Sequence, residues 1–89
     1  MNTKELAQEI VKSLANYPGV TDSECVKETL DKEFNGTEVP TGLTDHCFRS
    51  ACLATFHQVN KQVIPSSESL PHHMYNTIYT VMRTHINVA

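Results

Sequence analysis

Three cysteines and five histidines are the residues of this 89-residue chain with the strongest metal-binding and nucleophilic chemistry. A structural zinc site usually brings such ligands together at gaps of about two to four residues. Cys47 and Cys52 would lie about 140° apart on one helix, and the adjacent His72 and His73 would diverge by about 100°. These spacings predict no dedicated metal site. A metal-binding protein that uses Cys and His is kept only as an alternative function.

Catalysis by a thiol requires a partly exposed cysteine that a nearby base or positive charge activates. Cys52 is expected in the core, and Cys25 lies in an acidic segment that should raise the pKa of its thiol. Cys47 follows His46, but the sequence offers no third group to orient that histidine. The chain also lacks a glycine-rich phosphate loop and a clear pair of acids, so we expect no enzymatic activity and no cofactor.

The charge distribution argues against direct nucleic-acid binding. Seven Lys and Arg against ten Asp and Glu give a net charge of −3, so no basic field attracts phosphates. Residues 1–44 carry a net −4, whereas residues 45–89 carry a net +1 and all five histidines. A small helix-turn-helix regulator with Gly19 in its turn stays an alternative only, because its second helix would hold five acids and two lysines.

Apolar residues recur at helical spacing in four segments of the chain. The pattern predicts helices over about 3–17, 22–34, 45–61 and 71–87, separated by short connections. Four such helices indicate an all-α fold, a small, bundle-like single domain over residues 1–89.

Capping signals mark the ends of these helices. Thr21-Asp22-Ser23-Glu24 has the capping-box pattern, with Thr21 as the predicted cap of the second helix. Residues 35–43 form the longest predicted loop, and residues 64–69 break the chain again. The other signals are Asn2 or Thr3 and Pro18-Gly19 for the first helix, Asn35-Gly36 for the end of the second, Thr41 or Thr44 for the third and Pro71 for the fourth.

The fourth predicted helix is apolar over about half of its circumference. That face is wider than the stripe a surface helix needs against one neighbour. We therefore assign Met74, Ile78, Met82 and Ile86 to an oligomer interface, with a homodimer as the first expectation. The alternative is a single chain that encloses the fourth helix completely.

Two surfaces are predicted to bind a partner protein. On the third helix, Leu53 lies among polar and mildly basic side chains on the solvent side, which is the composition of a small binding hot spot. On the second helix, an acidic face would suit a basic partner. The predicted contact residues are Arg49, Leu53 and His57 on the third helix and Glu24, Glu28 and Asp31 on the second.

The sequence indicates a cytoplasmic protein with reduced thiols, because it shows no secretory signal, no membrane-spanning apolar run and an odd number of cysteines. The most consistent function is a small non-enzymatic regulator that binds and inhibits another protein. By analogy of size and acidity alone, its target would be a DNA-binding protein or a nucleic-acid enzyme, as for phage antirepressors and anti-defence proteins.

Overall fold

The computed structural model describes residues 1–64 and 71–89. These residues form four α-helices and two short strands, and each helix overlaps one predicted segment, so the all-α prediction is confirmed. The predicted break at 64–69 lies, from residue 65 onward, outside the described residues. The elements are α1 (Thr3–Ser13), α2 (Ser23–Phe34), β1 (Gly42–Leu43), α3 (Asp45–Asn60), α4 (Pro71–His85) and β2 (Asn87–Val88).

The first helix begins as predicted and ends early. Asn2 and the N3 residue Glu5 form a reciprocal capping box at its start. The helix ends at Ser13 rather than at residue 17, and the chain then turns, with the Tyr17 N–H donating to the Leu14 carbonyl at 3.0 Å. Asn16 in this turn favours non-helical backbone, and Pro18 disfavours helical geometry in the residue before it.

The cap of α2 is Asp22, so the prediction of Thr21 is wrong. The Asp22 carboxylate accepts the N–H groups of Glu24 and Cys25 at 3.0 and 3.2 Å. The side chain of Gln62, which follows α3, donates to the Asp22 carbonyl and accepts from its N–H, both at 3.0 Å. This contact from the far end of α3 holds the backbone of the N-cap residue Asp22.

Both ends of the chain hold the loop between α2 and α3. Thr3 N–H donates to the Thr37 carbonyl at 2.8 Å, and Val39 N–H donates to the Met1 carbonyl at 3.1 Å. Further along the loop, β1 pairs in parallel with β2. This pairing takes Asn87 out of the fourth helix, which was predicted to reach residue 87 and ends at His85 instead. At its other end the loop starts from Asn35, whose left-handed φ of 55° terminates α2 as predicted.

The helices pack in a closed ring in which each contacts the next and α4 returns to α1. The core is the shared interior of this ring, and the predicted apolar faces of the first three helices point into it. Along the described residues, no helix is both long enough and apolar enough to cross a membrane. The buried core residues are Leu6, Ala7, Ile10, Leu14, Val20, Val26, Leu30, Phe48, Ala51, Cys52, Val59, Met74, Ile78, Met82 and Ile86.

The assignment of α4 residues to an oligomer interface is corrected by this packing. Met74, Ile78, Met82 and Ile86 are 0–1% exposed within the single chain, so they have no surface to offer a second one. The wide apolar face arises because α4 contacts both α3 and α1. The alternative, a chain that encloses its fourth helix, explains the sequence pattern. A homodimer stays a prediction, and its interface must lie elsewhere.

Candidate functional site

The start of α3 sets the position of a prominent surface arginine. Thr44 caps the helix, as predicted, by accepting the Cys47 N–H at 3.2 Å. Asp45 occupies the first turn, and Arg49, one turn later, donates from Nε to its Oδ2 at 2.9 Å. This hydrogen bond raises the pKa of the guanidinium, so the Arg49 charge is permanent.

Aromatic side chains fill the seam between α3 and α4. Phe48 meets Tyr79 edge-on with ring centroids 5.2 Å apart, and Phe56 meets Tyr75 in the same way at 5.9 Å. The guanidinium carbon of Arg49 lies 5.9 Å from the centre of the Tyr79 ring. The seam therefore holds the arginine against an aromatic face as well as beside a carboxylate.

A shallow groove of about 330 Å³ opens above this seam, and we call it the Leu53 groove. Leu53 is 49% exposed although it sits in the middle of α3. Within the described chain, the other large apolar side chains this exposed are Met1 and Ile64, which lie outside the helices. The residues lining the groove are His46, Arg49, Ser50, Leu53 and Tyr75.

Tyr75 is the residue of this site that the sequence did not indicate, because the helical wheel placed it in the apolar half of α4. Burial raises the pKa of its phenol. The hydroxyl is neutral at pH 7 with or without this shift, and it can donate a hydrogen bond. A tyrosine on an apolar face usually keeps its hydroxyl near water, and the residue type was therefore the available signal.

The three contact residues predicted on α3 are all exposed, but the structure does not bring them together equally. Arg49 and Leu53 line the groove. His57 lies one turn beyond Leu53, outside the lining, with its ring 5.6 Å from that of Phe56. The geometry thus groups Arg49 and Leu53 with Tyr75 rather than with His57.

The three contact residues predicted on α2 also separate into two kinds. Glu24 and Glu28 are exposed and form no ion pair among the described residues. Asp31 is half-buried; it accepts hydrogen bonds from the Thr3 hydroxyl of α1 and, at 2.7 Å, from Lys27 Nζ. These bonds lower the pKa of the Asp31 carboxyl. Asp31 joins α1 to α2, which leaves Glu24 and Glu28 as the acidic face.

The three thiols are free and differ sharply in environment. Burial raises the pKa of Cys52 to about 12. The pKa of Cys25 is also raised, first because its thiol donates to Asp22 Oδ2 at 2.9 Å. Cys47 is exposed near the start of α3. The expected burial of Cys52 and the expected rise in the pKa of Cys25 are confirmed.

The alternative sites gain no support from this geometry. Nowhere in residues 1–64 and 71–89 do three or more His, Cys, Asp or Glu side chains come close enough to hold a metal ion. The second helix of a helix-turn-helix would present the exposed Glu24 and Glu28 to phosphates, which repels DNA.

A second groove, of about 320 Å³, lies between the end of α1 and α4. The hydroxyls of Thr77 and Thr80 donate to carbonyls of their own helix, so their methyl groups are left to line it together with Val81. Its described lining has neither a charged side chain nor a large exposed apolar one. It therefore offers less to a partner than the Leu53 groove does.

Comparison of the chain with protein-family models, with curated proteins and with solved structures finds no match.

Proposed function

We propose that this protein is a small non-enzymatic regulator that binds another protein through the Leu53 groove and inhibits it. The supporting observation is the exposure of Leu53 in mid-helix beside Arg49 and Tyr75. Single exposed leucines are common on protein surfaces. An exposed leucine that shares a groove with an arginine and a tyrosine has the composition of a binding hot spot, in which these two residue types are enriched.

Contacts within the chain restrain the side chains around Leu53. The aromatic contacts of Tyr75 and Tyr79 and the ion pair of Arg49 hold the side chains around it. Binding to an ordered surface loses less side-chain entropy, which costs about 0.5–1.5 kcal/mol for each side chain that must be immobilised. A groove of this size can thus contribute affinity without a large buried area.

Photo-crosslinking in the native cells tests this proposal. Benzoylphenylalanine is placed at position 53 and, as a matched control, at Gln8, which is exposed on α1 across the ring from α3. We expect one dominant crosslinked protein from position 53 that is missing from position 8. The purified partner should then lose activity when this protein is added. Equal crosslinking from both positions, or a partner whose activity is unchanged, would contradict the proposal.

The acidic face of α2 supports a second candidate surface. Glu24 and Glu28 lie one turn apart, are exposed and form no ion pair among the described residues, so they suit a basic protein. A DNA-binding protein or a nucleic-acid enzyme is the target that this face would suit. A crosslink from position 28 in place of position 53 would favour it.

The predicted cytoplasmic location and homodimer belong to the same proposal. Native mass spectrometry of protein purified gently from its own cells measures the assembly directly. A mass of two chains supports a dimer, and a mass that includes a second polypeptide supports a complex with the target. A bare monomer that also yields no crosslink from position 53 would count against an interaction protein.

A further inference from the structure

Arg49 is the one formal charge among the described lining residues of the Leu53 groove. Two carboxylates lie beside that lining: Asp45 accepts from Arg49 at 2.9 Å, and Glu33 of α2 accepts from the Ser50 hydroxyl at 3.4 Å. The imidazole of His46 and the hydroxyl of Tyr75 are further groups able to donate a hydrogen bond. Complementarity to a further carboxylate therefore depends on the donors of Arg49 that Asp45 does not use.

Arg49 is held in place yet has donors to spare. Asp45 accepts from Nε, and within the described residues the two terminal amino groups of the guanidinium have no hydrogen-bond acceptor. Both side chains of this pair are more than half exposed, and such surface pairs contribute about 0–1 kcal/mol. A second carboxylate can therefore bind the terminal amino groups in the two-pronged geometry that arginine favours.

Leu53 adds an apolar contact beside that charge. The groove is open and its volume of about 330 Å³ lies at the low end of the range for ligand pockets, roughly 300–1,000 Å³. This volume suits an anchoring side chain and its polar neighbour rather than an entire folded domain. The occupant must offer a carboxylate and an apolar group side by side.

Resting on the proposed function, we propose that the Leu53 groove binds an acidic, leucine-bearing segment of the target protein, with a carboxylate on Arg49 and an apolar side chain on Leu53. The protein as a whole has a net charge of −3 and would repel such a segment at long range. Selectivity for an acidic segment must therefore come from local contacts in the groove.

Two labelled helical peptides of about 16 residues test the proposal by fluorescence anisotropy. They share the same leucines at helical spacing, and their remaining positions are Glu in one peptide and Lys in the other. The wild-type protein is compared with Arg49→Gln and with the matched control Arg83→Gln, which removes one charge from an exposed position on α4. Circular dichroism verifies that all three chains are folded.

We expect the Glu peptide to bind about tenfold more tightly than the Lys peptide. Arg49→Gln should remove that difference, and Arg83→Gln should keep it. Three results would overturn the proposal: equal or tighter binding of the Lys peptide, no binding of either peptide up to about 1 mM, or the same loss in both variants.

The proposed function fails separately from this inference. If a partner crosslinks at position 53 and binds Arg49→Gln as tightly as wild type, the proposed function is supported and the acidic segment is contradicted. A missing crosslink at position 53 contradicts the proposed function itself.

Discussion

The first half of the molecule, α1 and α2 with their loop, uses several of its carboxylates in hydrogen bonds within the chain, whereas the second half, α3 and α4, exposes a leucine and an arginine beside a groove. In the first half, Asp22 caps α2 and Asp31 bonds to Thr3 and Lys27. In the second half, Leu53 and Arg49 lie at the surface of a groove.

A large net charge does not by itself mark a surface whose side chains are free to bind a partner. Residues 1–44 carry a net charge of −4, which makes this half a candidate surface for a basic partner. Several of its carboxylates are already hydrogen-bonded within the chain, and a partner would have to replace those bonds. The nearly neutral half exposes an apolar side chain whose removal from water is favourable on binding.

Thiol labelling should show the largest difference between the environments. Cys47 is exposed and should react first with iodoacetamide, and Cys25 more slowly because its thiol donates to Asp22. Cys52 is buried with a pKa of about 12, so it should react only after unfolding, at least about 10³-fold more slowly than Cys47. Mass spectrometry of timed samples gives the three rates. Equal rates for Cys47 and Cys52 would contradict the packing of α3.

Gly19→Ala should destabilise the junction of the two halves by about 3 kcal/mol. Gly19 has a φ of 94°, and an added Cβ would collide with the Gln62 carbonyl at the end of α3. Gly42→Ala is the matched control, since a Cβ there would meet the Asn87 carbonyl at an ordinary 3.8 Å. Urea denaturation measures both variants. Equal midpoints for the two would show that this junction does not depend on close approach.

Thr3→Val should cost about 1 kcal/mol, because Thr3 is buried and its hydroxyl donates to Asp31 across two helices. The matched change in the other half, Thr80→Val, removes an exposed hydroxyl that donates only to a carbonyl of its own helix. It should leave the free energy of unfolding almost unchanged. The same cost in both variants would remove the distinction between the two halves.

The smallest effect should be the pH dependence due to Asp31. Its hydrogen bonds lower its pKa in the folded protein below the ordinary 3.8. A lowered folded pKa stabilises the protein above about pH 4, and this contribution is lost as the pH falls through the folded value. Asp31→Asn should therefore flatten the acid limb of stability. Denaturation midpoints measured from about pH 5 to pH 2 test this, and an unchanged slope would contradict it.

The helices could be predicted because their signals are local. Asn2, Thr44 and Asn35 act on backbone groups within one turn, and all three have the capping roles that the sequence indicated. Thr21 and Asp22 can both cap a helix, and Asp is the stronger cap of the two. Two hydrogen bonds from Gln62, which is 40 residues away in the chain, add a contact at Asp22 that the local sequence does not reveal.

The remaining errors have the same origin in distant contacts. The helical pattern of the fourth segment extends to residue 87, but the pairing of Asn87 and Val88 with β1 decides the conformation of the end of the chain. The width of the apolar face of α4 was visible, whereas the number of helices that cover it was not. At the candidate site, the exposure of Leu53 and Arg49 follows from one helix alone. Tyr75 joins them only through the register of α4 against α3.

We propose that the target docks on the Leu53 groove and not on the acidic face. Calorimetric titration of the purified target into Leu53→Asp and into Glu24→Lys/Glu28→Lys tests it most directly. We predict that Leu53→Asp weakens binding by about 2 kcal/mol, roughly 30-fold, while the double variant binds like wild type. Full affinity in Leu53→Asp, with binding lost in the double variant, would contradict the claim and place the target on α2.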